Sequence, residues 1–172
     1  MKILLLLIPF LLFSGYASAQ KKVDYGVLQK PGEEVIFGFS LKKSNKIVLV
    51  CHQKDDKYIV YRFGTKDKAE LQYPSVLNAA SWKLFRYSGY WRGGDSSGGE
   101  SPMELHTLSF TNNQVAYKIY DESEGYNYVA GIAVTVNRKE TTLVGKTSSK
   151  NGTLGLLRDK EDLIHNYYWD EN

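Results

Sequence analysis

Glu104-Leu105-His106-Thr107-Leu108-Ser109-Phe110-Thr111-Asn112-Asn113-Gln114-Val115-Ala116-Tyr117-Lys118-Ile119-Tyr120-Asp121 decides the fold. Side chains alternate with a period of two. Leu105, Thr107 and Ser109 oppose His106, Leu108 and Phe110. After the turn, Val115, Tyr117 and Ile119 oppose Ala116, Lys118 and Tyr120. Alternation of this kind is the signature of a half-buried strand. The separator Thr111-Asn112-Asn113 supplies asparagines, which accept tight-turn backbone angles, so the two strands form an antiparallel hairpin.

The same grammar extends in both directions. Strands are expected at residues 34–41, 46–53, 57–63, 69–73, 82–91, 104–110, 114–121, 130–137 and 140–144. Lys43-Ser44-Asn45, Lys54-Asp55-Asp56 and Asn137-Arg138-Lys139 are further turns. Ile47-Val48-Leu49-Val50-Cys51 is apolar on both faces and predicts a central strand. About nine strands at near-regular spacing predict an all-β fold, an antiparallel sandwich or a small barrel, which also hides sheet edges. Residues 158–169 differ. Asp159, Glu161 and Asp162 precede Leu163, Ile164, Tyr167 and Tyr168, so a short C-terminal helix is expected there.

Residues 1–19 begin with Lys2, run apolar from Ile3 to Phe13, and end in Ala17-Ser18-Ala19. This pattern predicts a signal peptide, cut after Ala19, and a periplasmic or secreted product. The apolar run falls short of the roughly 20 residues of a membrane-spanning helix, and no transmembrane segment is expected after cleavage. Residues 20–172 are expected to form a single antiparallel β domain. The chain carries 22 Lys and Arg against 19 Asp and Glu, a formal charge of +3. That balance argues against a nucleic-acid partner.

Catalytic and metal signatures are absent from the pattern. Cys51 is the single cysteine, so no intramolecular disulfide forms. Cys51 and His52 are adjacent on a strand and point to opposite faces, which excludes them as a nucleophile–base pair. His52, His106 and His165 lack the local spacing of a zinc site. Asp121-Glu122-Ser123-Glu124-Gly125 lacks the ligand pattern of a calcium loop and reads as an acidic hairpin tip. No catalytic, metal or cofactor-binding residues are assigned, and no cofactor is expected.

The segment Arg86-Tyr87-Ser88-Gly89-Tyr90-Trp91-Arg92 is the strongest candidate surface. On a strand, Arg86, Ser88, Tyr90 and Arg92 share one face. Tyr87 and Trp91 share the other, with Phe85, Tyr87 and Trp91 expected to hold the strand in the core. Arg62 is a candidate for a neighbouring strand. Residues 92–102, rich in glycine and serine and containing Asp95, read as an exposed, mobile loop beside it. Tyr and Arg are the side chains that most often anchor protein interfaces. Arg86, Ser88, Tyr90, Arg92 and Asp95 are therefore the expected partner-binding residues. Tyr61-Arg62-Phe63-Gly64, Tyr73-Pro74 and residues 85–92 resemble small periplasmic or secreted β-proteins of Gram-negative bacteria. Ser88-Gly89-Tyr90 is similar to the Ser-Gly-x-Tyr loop of periplasmic lysozyme inhibitors, with Tyr90 directly after Gly89. The resemblance implies a protein that blocks a hydrolase cleft. The expected function is an exported, non-enzymatic binding protein, an inhibitor of a cell-wall hydrolase or an immunity-type protein, whose partner is a hydrolase or toxin of the envelope. A secreted hydrolase and a structural envelope protein are the alternatives.

Overall fold

The computed structural model describes residues 23–94 and 99–166. Among these residues, eleven strands fall into two sheets. In chain order they are β1 (Glu33–Ser40), β2 (Ile47–Gln53), β3 (Ile59–Gly64), β4 (Ala69–Tyr73), β5 (Arg86–Arg92), β6 (Met103–Asn112), β7 (Val115–Glu124), β8 (Asn127–Val136), β9 (Lys139–Val144), β10 (Asn151–Gly152) and β11 (His165–Asn166). The five-stranded sheet has the order β10-β1-β2-β3-β4, and the six-stranded sheet β11-β5-β6-β7-β8-β9. All pairings are antiparallel except the two-residue contact of β11 with β5.

The turns form where asparagine and aspartate predicted them. Asn113 and Gln114, and Asn137 and Arg138, hold consecutive positive φ angles, the geometry of a hairpin turn whose twist matches its strands. One strand came out shorter than its pattern. Residues 79–84 form a 3-10 turn, started by the Asn78 side chain accepting from the Ala80 amide at 2.9 Å, and β5 begins only at Arg86. Trp82 sits in that turn and donates from Nε1 to the Asp56 carbonyl at 2.9 Å. The short helix near the C-terminus is a 3-10 turn at Leu154–Lys160, earlier than the acidic residues had placed it. His165 and Asn166, expected inside that helix, pair with Arg86 and Tyr87 as β11. Residues 1–19, Asp95 and Tyr167–Trp169 lie outside the described residues.

The sandwich core lies between the inner faces. Phe37, Phe39, Val48, Val50, Ile59 and Tyr61 from one sheet meet Leu108, Phe110, Ile119 and Ile132 from the other, with Phe85 just before β5. Stacked rings run through its rim: Phe110 lies 4.4 Å from Tyr73 and 4.8 Å from Tyr117, centroid to centroid. One seam joins the layers, where Lys42 N donates to Val144 O and Lys146 N to Ser40 O.

The two outer faces differ, and this difference positions the site. Ile47, Leu49, Cys51 and Val60 on the outside of the five-stranded sheet are covered by Tyr25 and Leu28 of the N-terminal segment. That explains why β2 is apolar on both faces. Arg62 lies on this covered side, buried against Glu33, and not beside β5. The outer face of the six-stranded sheet has no such cover among the described residues.

Candidate binding face of the six-stranded sheet

Register fixes which side chains stand together on the open face. One cross-strand row is Arg86, Ser109, Lys118, Ala133 and Thr142. The next is Ser88, Thr107, Tyr120, Gly131 and Val144. The third is Tyr90, Leu105, Glu122 and Val129, and the fourth Arg92, Met103, Glu124 and Asn127. Arg86, Ser88, Tyr90 and Arg92 therefore share one face, as their alternation requires. The surface is concave. Its depression of about 910 Å³ runs over Thr107, Tyr120 and Ala133. A contiguous one of about 700 Å³ continues to Tyr73 and Lys83.

Gly131 gives this floor its depth. A Cβ there would overlap the Tyr120 hydroxyl, so the phenol lies across the glycine. Burial, with Glu122 and Glu140 near, pushes the Tyr120 phenol up, and it stays a neutral hydroxyl. Neither glycine nor tyrosine carried a sequence signal for this role, which depends on cross-strand register.

The opposite face of β5 divides in two. Phe85 and Tyr87 are buried as expected. Trp91 is 61% exposed and not in the core. It heads the row Trp91, Glu104, Ser123 and Tyr128, at the end of the sheet. Tyr128 is likewise 48% exposed, so this last row overhangs the core.

Between overhang and core lies the row Gly89, His106, Asp121 and Ala130. His106 Nδ1 is 2.9 Å from the Tyr87 hydroxyl, and burial lowers its pKa against the pull of Asp121 and Glu104. Asp121 does not serve as a solvated hairpin tip. It is buried, accepts from Thr153 Oγ1 at 2.7 Å and Leu154 N at 3.0 Å, and pairs with Lys150 Nζ at 2.7 Å. These bonds tie the segment after β9 to β7. Gly89 has a packing reason: a Cβ would stand 2.5 Å from the Tyr87 hydroxyl. Cys51 is far from this row in the fold, under the N-terminal segment on the other sheet, and burial pushes its thiol up to about 12.

Comparison with protein-family models, curated proteins and solved structures finds no match to this chain. The site is read from its own geometry.

The edge of β5 is the distinctive element of that geometry. β11 pairs only with Arg86 and Tyr87. Among the described residues, the outer edge of residues 88–92 has no strand partner. Natural sheets blunt open edges with short strands, charge, proline or bulges. The other edges follow that rule. β10 has two residues, β4 carries Glu70 paired with Lys46 and is followed by Pro74, and β9 opens with Lys139 and Glu140. Residues 88–92 keep regular register and expose Tyr90 and Trp91, with a charge only at Arg92. Arg92 sits 3.4 Å from Glu100, which fixes the loop start beside that edge. Among the described residues, no group of three His, Cys, Asp or Glu side chains is placed to hold a metal. No described helix is long and apolar enough to cross a membrane.

Proposed function

We propose that the protein is an exported, non-enzymatic binding protein that holds a partner protein of the envelope, a cell-wall hydrolase or a toxin, along β5. The observation that carries this reading is the exposed pair Tyr90 and Trp91, one on each face of β5, on an edge that has no strand partner at residues 88–92 among the described residues. An open edge offers main-chain hydrogen bonds to an extended segment, and the alternating side chains select it. Ser88-Gly89-Tyr90 lies within β5, so a cleft would meet a strand edge and the side chains at its end, not a protruding loop.

Amide hydrogen exchange on the complex captured from envelope extract tests the proposal. Protection gained at residues 88–92 supports it. A captured partner that protects only segments elsewhere in the chain contradicts it.

A further inference from the structure

We infer that the groove on the outer face of the six-stranded sheet is a second site, which takes an amphipathic organic anion. This goes beyond the partner-binding reading, because the groove lies on the face of the sheet and the partner uses its edge.

The two ends of the groove differ in chemistry. At one end Lys83, Arg86 and Lys118 stand around a depression whose lining, among the described residues, includes one carboxylate, Glu140. The hydroxyls of Ser109, Thr111 and Thr135 line the same end. Arg86 and Lys118 flank Ser109 in one cross-strand row, so they are two strand spacings apart, about 10 Å. An anionic head placed there finds an excess of cations and hydroxyl donors. The middle is floored by Thr107 and the Tyr120 ring, with Ala133 beside Lys118 at its head end. The far end is the row Tyr90, Leu105, Val129, with Glu122 among them. Those three side chains offer apolar surface, and Glu122 repels a second anionic head. The ligand is thereby oriented, head at Lys118 and apolar body toward Leu105. Lys118 and Glu122 are four positions apart along β7, roughly 13 Å, room for a medium-length alkyl or aromatic body. A depression of about 910 Å³ is of small-ligand size.

Dodecanoate and dodecyltrimethylammonium share a chain and differ in head charge, so calorimetry of both below micelle formation tests the inference. Dodecanoate is expected to bind at one site and to shift the amide resonances of Thr107, Tyr120 and Ala133. Lys118→Glu should weaken it at least tenfold. Thr107→Trp, which fills the floor, should abolish binding while the thermal melt is kept. Equal binding of the ammonium compound overturns the anion assignment. Dodecanoate binding that survives both substitutions, or the absence of any binding, overturns the site. None of these results depends on the β5 edge, which Trp91→Ala, on the opposite face from the groove, probes separately.

Discussion

Arg62 grips Glu33 through both terminal guanidinium nitrogens, Nη1 at 2.6 Å and Nη2 at 2.9 Å, and both residues are buried. Further bonds hold both partners. Glu33 also accepts from Lys30 N at 2.7 Å and the Tyr58 hydroxyl at 2.9 Å, and Arg62 donates to the Leu28 carbonyl and to Gln72. The pair clamps the N-terminal segment over the five-stranded sheet. It is thus one cause of the difference between the two outer faces among the described residues.

That pair predicts acid sensitivity. Burial alone would raise the Glu33 carboxyl, but the bonds from Arg62 and Lys30 N hold it below the ordinary glutamate range. The stabilisation is fully present above the unfolded-state value of about 4.3 and is lost as pH falls through the lower folded value. Thermal melts against pH should show this loss in wild type and a flatter profile in Glu33→Gln. Arg62→Ala, which strands a buried carboxylate, should cost about 3–5 kcal/mol.

His106 predicts a second, milder dependence at higher pH. Its folded pKa is lowered, first by burial. The neutral ring therefore contributes stability that is complete above the unfolded value of about 6.5 and declines as pH falls toward the folded value. His106→Gln should remove that part of the melt profile as pH falls below neutrality. An unchanged slope in the variant would assign the dependence to other groups.

The tryptophans should separate sharply. Trp82 is buried, so Trp82→Ala is expected to cost about 3–5 kcal/mol in denaturant unfolding. Trp91 is exposed, and Trp91→Ala should stay within about 0.5 kcal/mol of wild type.

Cys51 should be slow to react. The thiolate is the reactive form, and burial has pushed the thiol up to about 12. A bulky thiol reagent should label the native protein only at the rate of opening, and the urea-unfolded protein at once. Rapid native labelling would contradict the packing under Tyr25.

The alternation in residues 104–121 was enough to read β6, β7 and their turn, because a half-buried strand writes its two faces into the chain. The same logic placed Arg86, Ser88, Tyr90 and Arg92 on one face. It failed for Trp91, since alternation tells which side a residue points to and not whether another layer stands opposite. It failed for Asp121 for a similar reason: an acidic run looks solvated until Thr153, Leu154 N and Lys150 arrive from about thirty residues away. Arg62 read as a candidate for a strand beside residues 86–92 because its partner Glu33 is equally distant in sequence. The groove and the open edge were illegible because both depend on strand order.

The most direct measurement is affinity for the captured partner after substitution along β5, with melts alongside. Tyr90→Ala is expected to weaken binding by about 2 kcal/mol or more, the size of an interface hot spot, with the melt unchanged. Trp91→Ala should behave similarly. If both variants bind the partner as tightly as wild type, residues 88–92 are only an exposed strand end, and the proposed function is wrong.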